Sequence, residues 1–144
     1  AAPVAEGAPP TPQQILDTSD EQFRVAGVSR QKAGYMRDLA LHMVDGRLNF
    51  DLMPSLDDDE VIKRITGVHG LGEWSAHMFL MFHLGRPDVL PTGDLGVRVG
   101  FGSAFSMAET PTPIQLAPLG DPFRPYRSAL PWFCSRALSV PPKR

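Results

Sequence analysis

Three glycines and one carboxylate are spaced so that they could do chemistry together. From Gly67 to Asp94 the chain reads G-V-H-G-L-G-E-W-S-A-H-M-F-L-M-F-H-L-G-R-P-D-V-L-P-T-G-D. This is a glycine-rich turn, a strongly apolar stretch, a Gly/Pro-rich loop and then a single acid. Gly67, Gly70 and Gly72 permit positive φ and carry no Cβ, so the backbone can approach a ligand closely. Their N–H groups precede a helix, where unpaired donors and the positive dipole end favour an anion such as phosphate. Asp94 is suited to stabilising developing positive charge and orienting water, and equally to capping the helix that starts at Leu95. Read from the residues alone, the cap is preferred.

The elements that must position these residues are helical. Thr11-Pro12 places an N-cap before proline at the first helical position, and predicts a short helix to about Asp17. Ser19 with Gln22 forms a capping-box pattern, and Ser29 caps a longer helix from Arg30 to Asp45. In that longer helix Ala33, Met36, Leu39, Ala40, Met43 and Val44 form one apolar stripe, and Gly46 ends it. Asp51 to Ser55 reads as a loose turn or short helix, and Asp57 to Ile65 as a helix burying Val61, Ile62 and Ile65. The stretch Glu73 to Leu84 is apolar on nearly all sides and is expected to lie centrally. The helix after Asp94 should turn Leu95, Val97 and Phe101 inward, with Gly100 and Gly102 weakening it. A short helix is expected near Pro113 to Ala117, and a last one directly after Arg124-Pro125, kinked at Pro131. No segment reads as a β-strand, so the fold class is all-α. Residues 1–10 read as a disordered lead, 11–138 as one domain and 139–144 as a tail.

Composition sets further bounds. A chain of 144 residues is one domain of ordinary size, and no run of about eighteen apolar residues predicts a membrane span. The first residues lack the basic start and apolar centre of a secretory signal. A lone cysteine, Cys134, excludes an internal disulfide, fits a reducing compartment and reads as a small buried hydrophobe. The net charge of −2 announces no nucleic-acid binder, yet acids gather at Asp57, Asp58, Asp59 and Glu60 and leave Arg86, Arg98, Arg124 and Arg127 around the site. His42, His77 and His83 lack metal-site partners at suitable spacing, and His69 reads as a solvent-facing loop residue.

Three blocks, I-T-G-V-H-G-L-G-E-W-S-A-H-M-F-L, G-R-P-D-V-L-P-T-G-D-L-G-V-R and F-R-P-Y-R-S, occur in an order that resembles the helix-hairpin-helix DNA glycosylases, and within them the 3-methyladenine DNA glycosylase II type. The resemblance implies a helix-hairpin-helix glycosylase domain that removes alkylated purines from double-stranded DNA in base-excision repair. It shifts the preferred role of Asp94 from cap to catalytic carboxylate. Gly67, His69, Gly70, Leu71 and Gly72 become a backbone cradle for a DNA phosphate, whose carbonyls can share an alkali-metal ion with the DNA; no side chain is assigned to a metal, and no cofactor is implied. Relatives that also cut the strand carry a lysine where Trp74 stands, so the activity implied is monofunctional, leaving an abasic site. Trp74 either stacks on the extruded base or packs at the helix start. Tyr126 either lines the base pocket or is structural, and Arg127 pairs with an acid or a phosphate. A monomer is implied, acting in the nucleus of a eukaryote or the cytoplasm of a bacterium.

The chain departs from the family pattern in two places. Ser135 stands where members often carry a second tryptophan, and the helices that precede the Thr11 segment in the family are expected to be missing. These departures favour an alternative: a non-catalytic DNA-binding hairpin module, or an inactive truncated fragment.

Overall fold

The structure is a computed structural model that describes residues 7–139, and the chain divides between Leu71 and Gly72 into two compact units. Residues 1–6 of the expected lead and 140–144 of the expected tail lie outside the described residues. Among the described residues all regular structure is helical, and no helix is long and apolar enough to cross a membrane.

The first unit holds α1 (Pro12–Asp17), α2 (Asp20–Val25), α3 (Arg30–Val44), a 3-10 turn (Met53–Ser55) and α4 (Asp58–Thr66). Local chemistry sets their starts. The side chains of Thr11 and Ser19 each accept the N3 backbone N–H, while Gln14 and Gln22 reach back in reciprocal capping boxes. Ser29 caps α3 and Asp57 caps α4 in the same way, without the reciprocal bond. Both α1 and α2 pack on α3. Arg37 fastens α2 by bonding Asp20 at 2.6 Å and the Thr18 carbonyl at 2.8 Å, with its guanidinium 4.9 Å from the centre of the Phe23 ring. The apolar stripe of α3 is buried at Ala33 and Ala40, but its last member, Val44, is exposed, because the helix ends there.

The second unit begins with α5 (Glu73–Met78), which runs on into a π-helical turn (Phe79–His83). It continues with α6 (Leu95–Ala104), α7 (Pro113–Leu119), a 3-10 turn (Asp121–Phe123) and α8 (Ala129–Ser139). Its core is Leu90, Val97, Phe101, Leu116, Leu130 and Cys134. Burial pushes the Cys134 thiol above its ordinary value, as befits a packed hydrophobe.

Three sequence expectations are corrected here. The apolar stretch from Glu73 is one α-helix only to Met78, and it is not enclosed: Ala76 and Leu80 are buried, but Phe82 is 80% exposed. Leu95 points outward, since Val97 and Phe101 carry the buried face of α6. Gly100 also lets α8 approach, for a Cβ there would lie 2.3 Å from the Cys134 carbonyl oxygen, and α6 ends soon after it, at Ala104. Finally α8 starts at Ala129, after a turn that follows the cis Arg124–Pro125 bond. Pro131 is therefore the third residue of α8, where an N–H would have no intrahelical acceptor, and the expected kink is not required.

Candidate functional site

In the first unit the loop Gly67–Leu71 follows α4. Gly67 has φ −66° and closes α4 as its C-cap, and Gly72, with φ −112°, is the N-cap of α5. Neither uses the left-handed freedom expected of it. Gly70 does, at φ 91°, with a further steric reason: a Cβ there would lie 2.6 Å from Cγ of the Tyr35 ring.

The expected phosphate cradle is also narrower than the sequence implied. The Gly67 N–H donates to the Lys63 carbonyl at 3.0 Å and the Leu71 N–H to the Val68 carbonyl at 3.1 Å. The His69 N–H donates to Oδ2 of Asp38 at 2.7 Å, so this residue is not simply a solvent-facing loop residue, although its ring is exposed. Within the first unit's loop the donor left open among the described residues is the Gly70 N–H. The carbonyls of Gly67, His69, Gly70 and Leu71 accept no hydrogen bond among the described residues, so four hard oxygen donors of the kind an alkali cation takes are available. Among the described residues no group of three or more His, Cys, Asp or Glu side chains gathers.

In the second unit Asp94 is both cap and cavity wall. Its Oδ1 accepts the Val97 N–H at 3.0 Å, fixing the start of α6, and its Oδ2 accepts the indole N–H of Trp74 at 2.5 Å. Trp74 reaches it from the first turn of α5. The half-buried Asp94 borders a cavity of about 350 Å³ with Met78, Met81, Phe82, Pro131, Trp132 and Ser135. The wall is apolar except for Asp94, Ser128 and Ser135, which is the composition of a small-molecule site with few orienting groups. Such a site can hold a planar aromatic ring against soft side chains while one carboxylate acts at its edge.

The other expected residues are placed differently. Trp74 is not among the cavity's lining residues, and its polar edge holds Asp94. Tyr126 is 69% exposed and does not line the cavity, so the structure does not bring it to Asp94. Arg127 pairs with an acid: its Nε donates to Oδ1 of Asp88 at 2.7 Å, and a terminal nitrogen to Oδ2 at 3.2 Å. Arg124 adds a second contact to Asp88 at 3.3 Å. The Arg127 guanidinium, with burial opposing it, holds the Asp88 carboxyl below the ordinary carboxylate range.

Sequence reasoning missed Asp88 and Ser128. The Ser128 hydroxyl donates to the Arg86 carbonyl at 2.6 Å and accepts the Val89 N–H at 2.8 Å, which ties the Arg86–Val89 loop to the start of α8. Trp132 and Ser135 face the cavity three residues apart on one side of α8. For Asp88 the signal was an acid in a proline-bounded loop, with Arg127, already expected to pair with an acid or a phosphate, downstream.

Residues 4–124 match the HhH-GPD superfamily of base excision DNA repair proteins, and the chain belongs to that family. Among curated relatives, DNA-3-methyladenine glycosylase 1 of Schizosaccharomyces pombe is 30% identical over 125 residues, covering 86% of this chain and 55% of the relative. A solved structure of the 3-methyladenine DNA glycosylase of Schizosaccharomyces pombe in complex with abasic DNA superposes with a TM-score of 0.85 at 27% identity, covering 98% of this chain and 69% of that one. The DNA-3-methyladenine glycosidase of Bacillus halodurans gives a TM-score of 0.84 at 35% identity, covering 94% and 62%. The chain thus spans little more than half the length of the curated relative it matches.

Proposed function

We propose that this chain carries the chemistry of a monofunctional DNA glycosylase that hydrolyses the N-glycosidic bond of alkylated purines in double-stranded DNA. The observation that carries the reading is Asp94, a carboxylate held by two donors at the edge of an apolar cavity. An N-alkylated purine is cationic, so it leaves as a neutral base when the C1′–N bond breaks and takes that bond's electron pair with it. Positive charge then develops on the deoxyribose, and a fixed carboxylate beside the sugar stabilises it. Water adds to C1′ and Asp94 accepts its proton, leaving an abasic site. The cavity's apolar wall receives the everted base by stacking and exclusion of water, with no demand for a hydrogen-bonded base pattern.

The hairpin anchors DNA without reading it. The open N–H of Gly70 offers a donor to a phosphate, and the loop carbonyls would supply further sequence-independent attraction by holding an alkali cation shared with the DNA. No lysine stands at the head of α5, where Trp74 occupies the position, so the reading excludes a Schiff-base strand cut. The names of the relatives and their measured overlap support this reading. The test is incubation with duplex DNA bearing one methylated purine. Strand breaks that appear only after alkali support the proposal; breaks without alkali, or duplex binding with no base release, refute it.

A further inference from the structure

The hairpin loop is shaped by a helix that lies outside it. On α3, Asp38 accepts the His69 N–H at 2.7 Å across 31 residues of sequence, and it is the one side chain among the described residues that bonds the loop Gly67–Leu71. One turn earlier, the Tyr35 ring lies directly beneath Gly70, leaving no room for a Cβ, and 5.1 Å from the His69 ring. The Tyr35 hydroxyl is in turn held by the Gln31 amide at 2.7 Å. On its other side the Asp38 carboxylate stands 3.6 Å from Nδ1 of the buried His42, which bonds the Asp38 carbonyl at 2.8 Å.

We propose that Asp38 and Tyr35 form a clamp that holds the loop in the conformation that grips a DNA phosphate, so that both residues set DNA affinity without touching DNA. The inference rests on reading the hairpin as the phosphate grip. Taking up the His69 N–H and the space under Gly70 leaves the loop one conformation, with the Gly70 N–H free on its open side. A carboxylate bonded to a loop that takes a phosphate is an electrostatic liability. Its use here is as an acceptor, and a neutral amide oxygen would serve as well.

The test uses this chain with undamaged and methylated duplexes, reading equilibrium binding and the single-turnover rate at saturating DNA. Asp38→Ala removes the acceptor; it weakens duplex binding about tenfold and leaves the saturated rate within about twofold, on the scale of one hydrogen bond to a charged group. Asp38→Asn keeps an acceptor and restores wild-type affinity or better. Should D38A fail to fold, Tyr35→Leu, which removes the ring under Gly70 and leaves Asp38 in place, carries the same expectation. Wild-type affinity in D38A or in folded Y35L overturns the clamp alone, as does an Asn variant as weak as the Ala variant. Absence of duplex binding by the wild type overturns both the clamp and the hairpin reading.

Discussion

The indole N–H of Trp74 donates to Oδ2 of Asp94 at 2.5 Å, joining the first turn of α5 to the N-cap of α6 across 20 residues of sequence. Since Oδ1 is already taken by the Val97 N–H, the indole decides how the remaining lone pairs of the carboxylate are aimed. Trp74→Phe keeps an aromatic ring and removes the donor. Base release should slow about tenfold, the scale of one charge-assisted hydrogen bond, while binding of undamaged duplex is unchanged. Single-turnover kinetics beside a binding isotherm check this; weakened binding at a normal rate would instead return Trp74 to a stacking role.

Gly100 marks the closest approach of α6 and α8. Gly100→Ala places a methyl against the Cys134 carbonyl, so the helices must separate, at a cost of about 1–3 kcal/mol. Urea denaturation should show a lower midpoint with an unchanged slope. Gly34→Ala, inside α3, meets no atom within 4 Å and serves as the control.

Arg127 belongs to the frame of the second unit through its bonds to Asp88. Arg127→Ala should cost about 1–3 kcal/mol by leaving Asp88 with Arg124 alone, while the salt dependence of DNA binding keeps its slope. The pH dependence has a definite sign. Asp88 is held below its ordinary value by Arg127, so its contribution is present above the unfolded pKa of about 3.9 and is lost as pH falls through the lower folded value. Asp88→Asn should therefore flatten the loss of stability below about pH 4, a change that melts taken across acidic buffers will read.

Ser135 leaves open a wall of the cavity that borders Asp94. Ser135→Trp should fill part of that space and lower release of bulky alkyl adducts more than release of a methylated purine. Competition between the two substrates measures this, and equal losses would place Ser135 outside the base's path.

How much of this was legible beforehand depended on range. Capping is a matter of four residues, so Thr11, Ser19 and Ser29 announced their helices, and the same local rule placed Asp94 at the head of α6. Pro131 was misjudged because the start of α8 depends on the turn after Arg124–Pro125, which periodicity does not reveal. The enclosing surroundings expected for the stretch after Glu73 failed at Phe82, since apolar composition does not say which faces find a neighbour. The bonds Asp88–Arg127, Asp38–His69 and Trp74–Asp94 span 39, 31 and 20 residues. Nothing in the local sequence pairs their ends. Consequently the aspartate and the hairpin could be named from the sequence, but the residues that aim them could not.

The central claim is that Asp94 performs the hydrolysis, and its capping role makes a clean test available. Asparagine caps helices about as well as aspartate, so Asp94→Asn should retain the fold and duplex binding. The measurement is single-turnover release of a methylated purine from duplex DNA by the wild type and D94N side by side, with folding confirmed by a thermal melt. A loss of about a hundredfold or more in a folded D94N is the result expected. Release within a few-fold of the wild type would contradict the account.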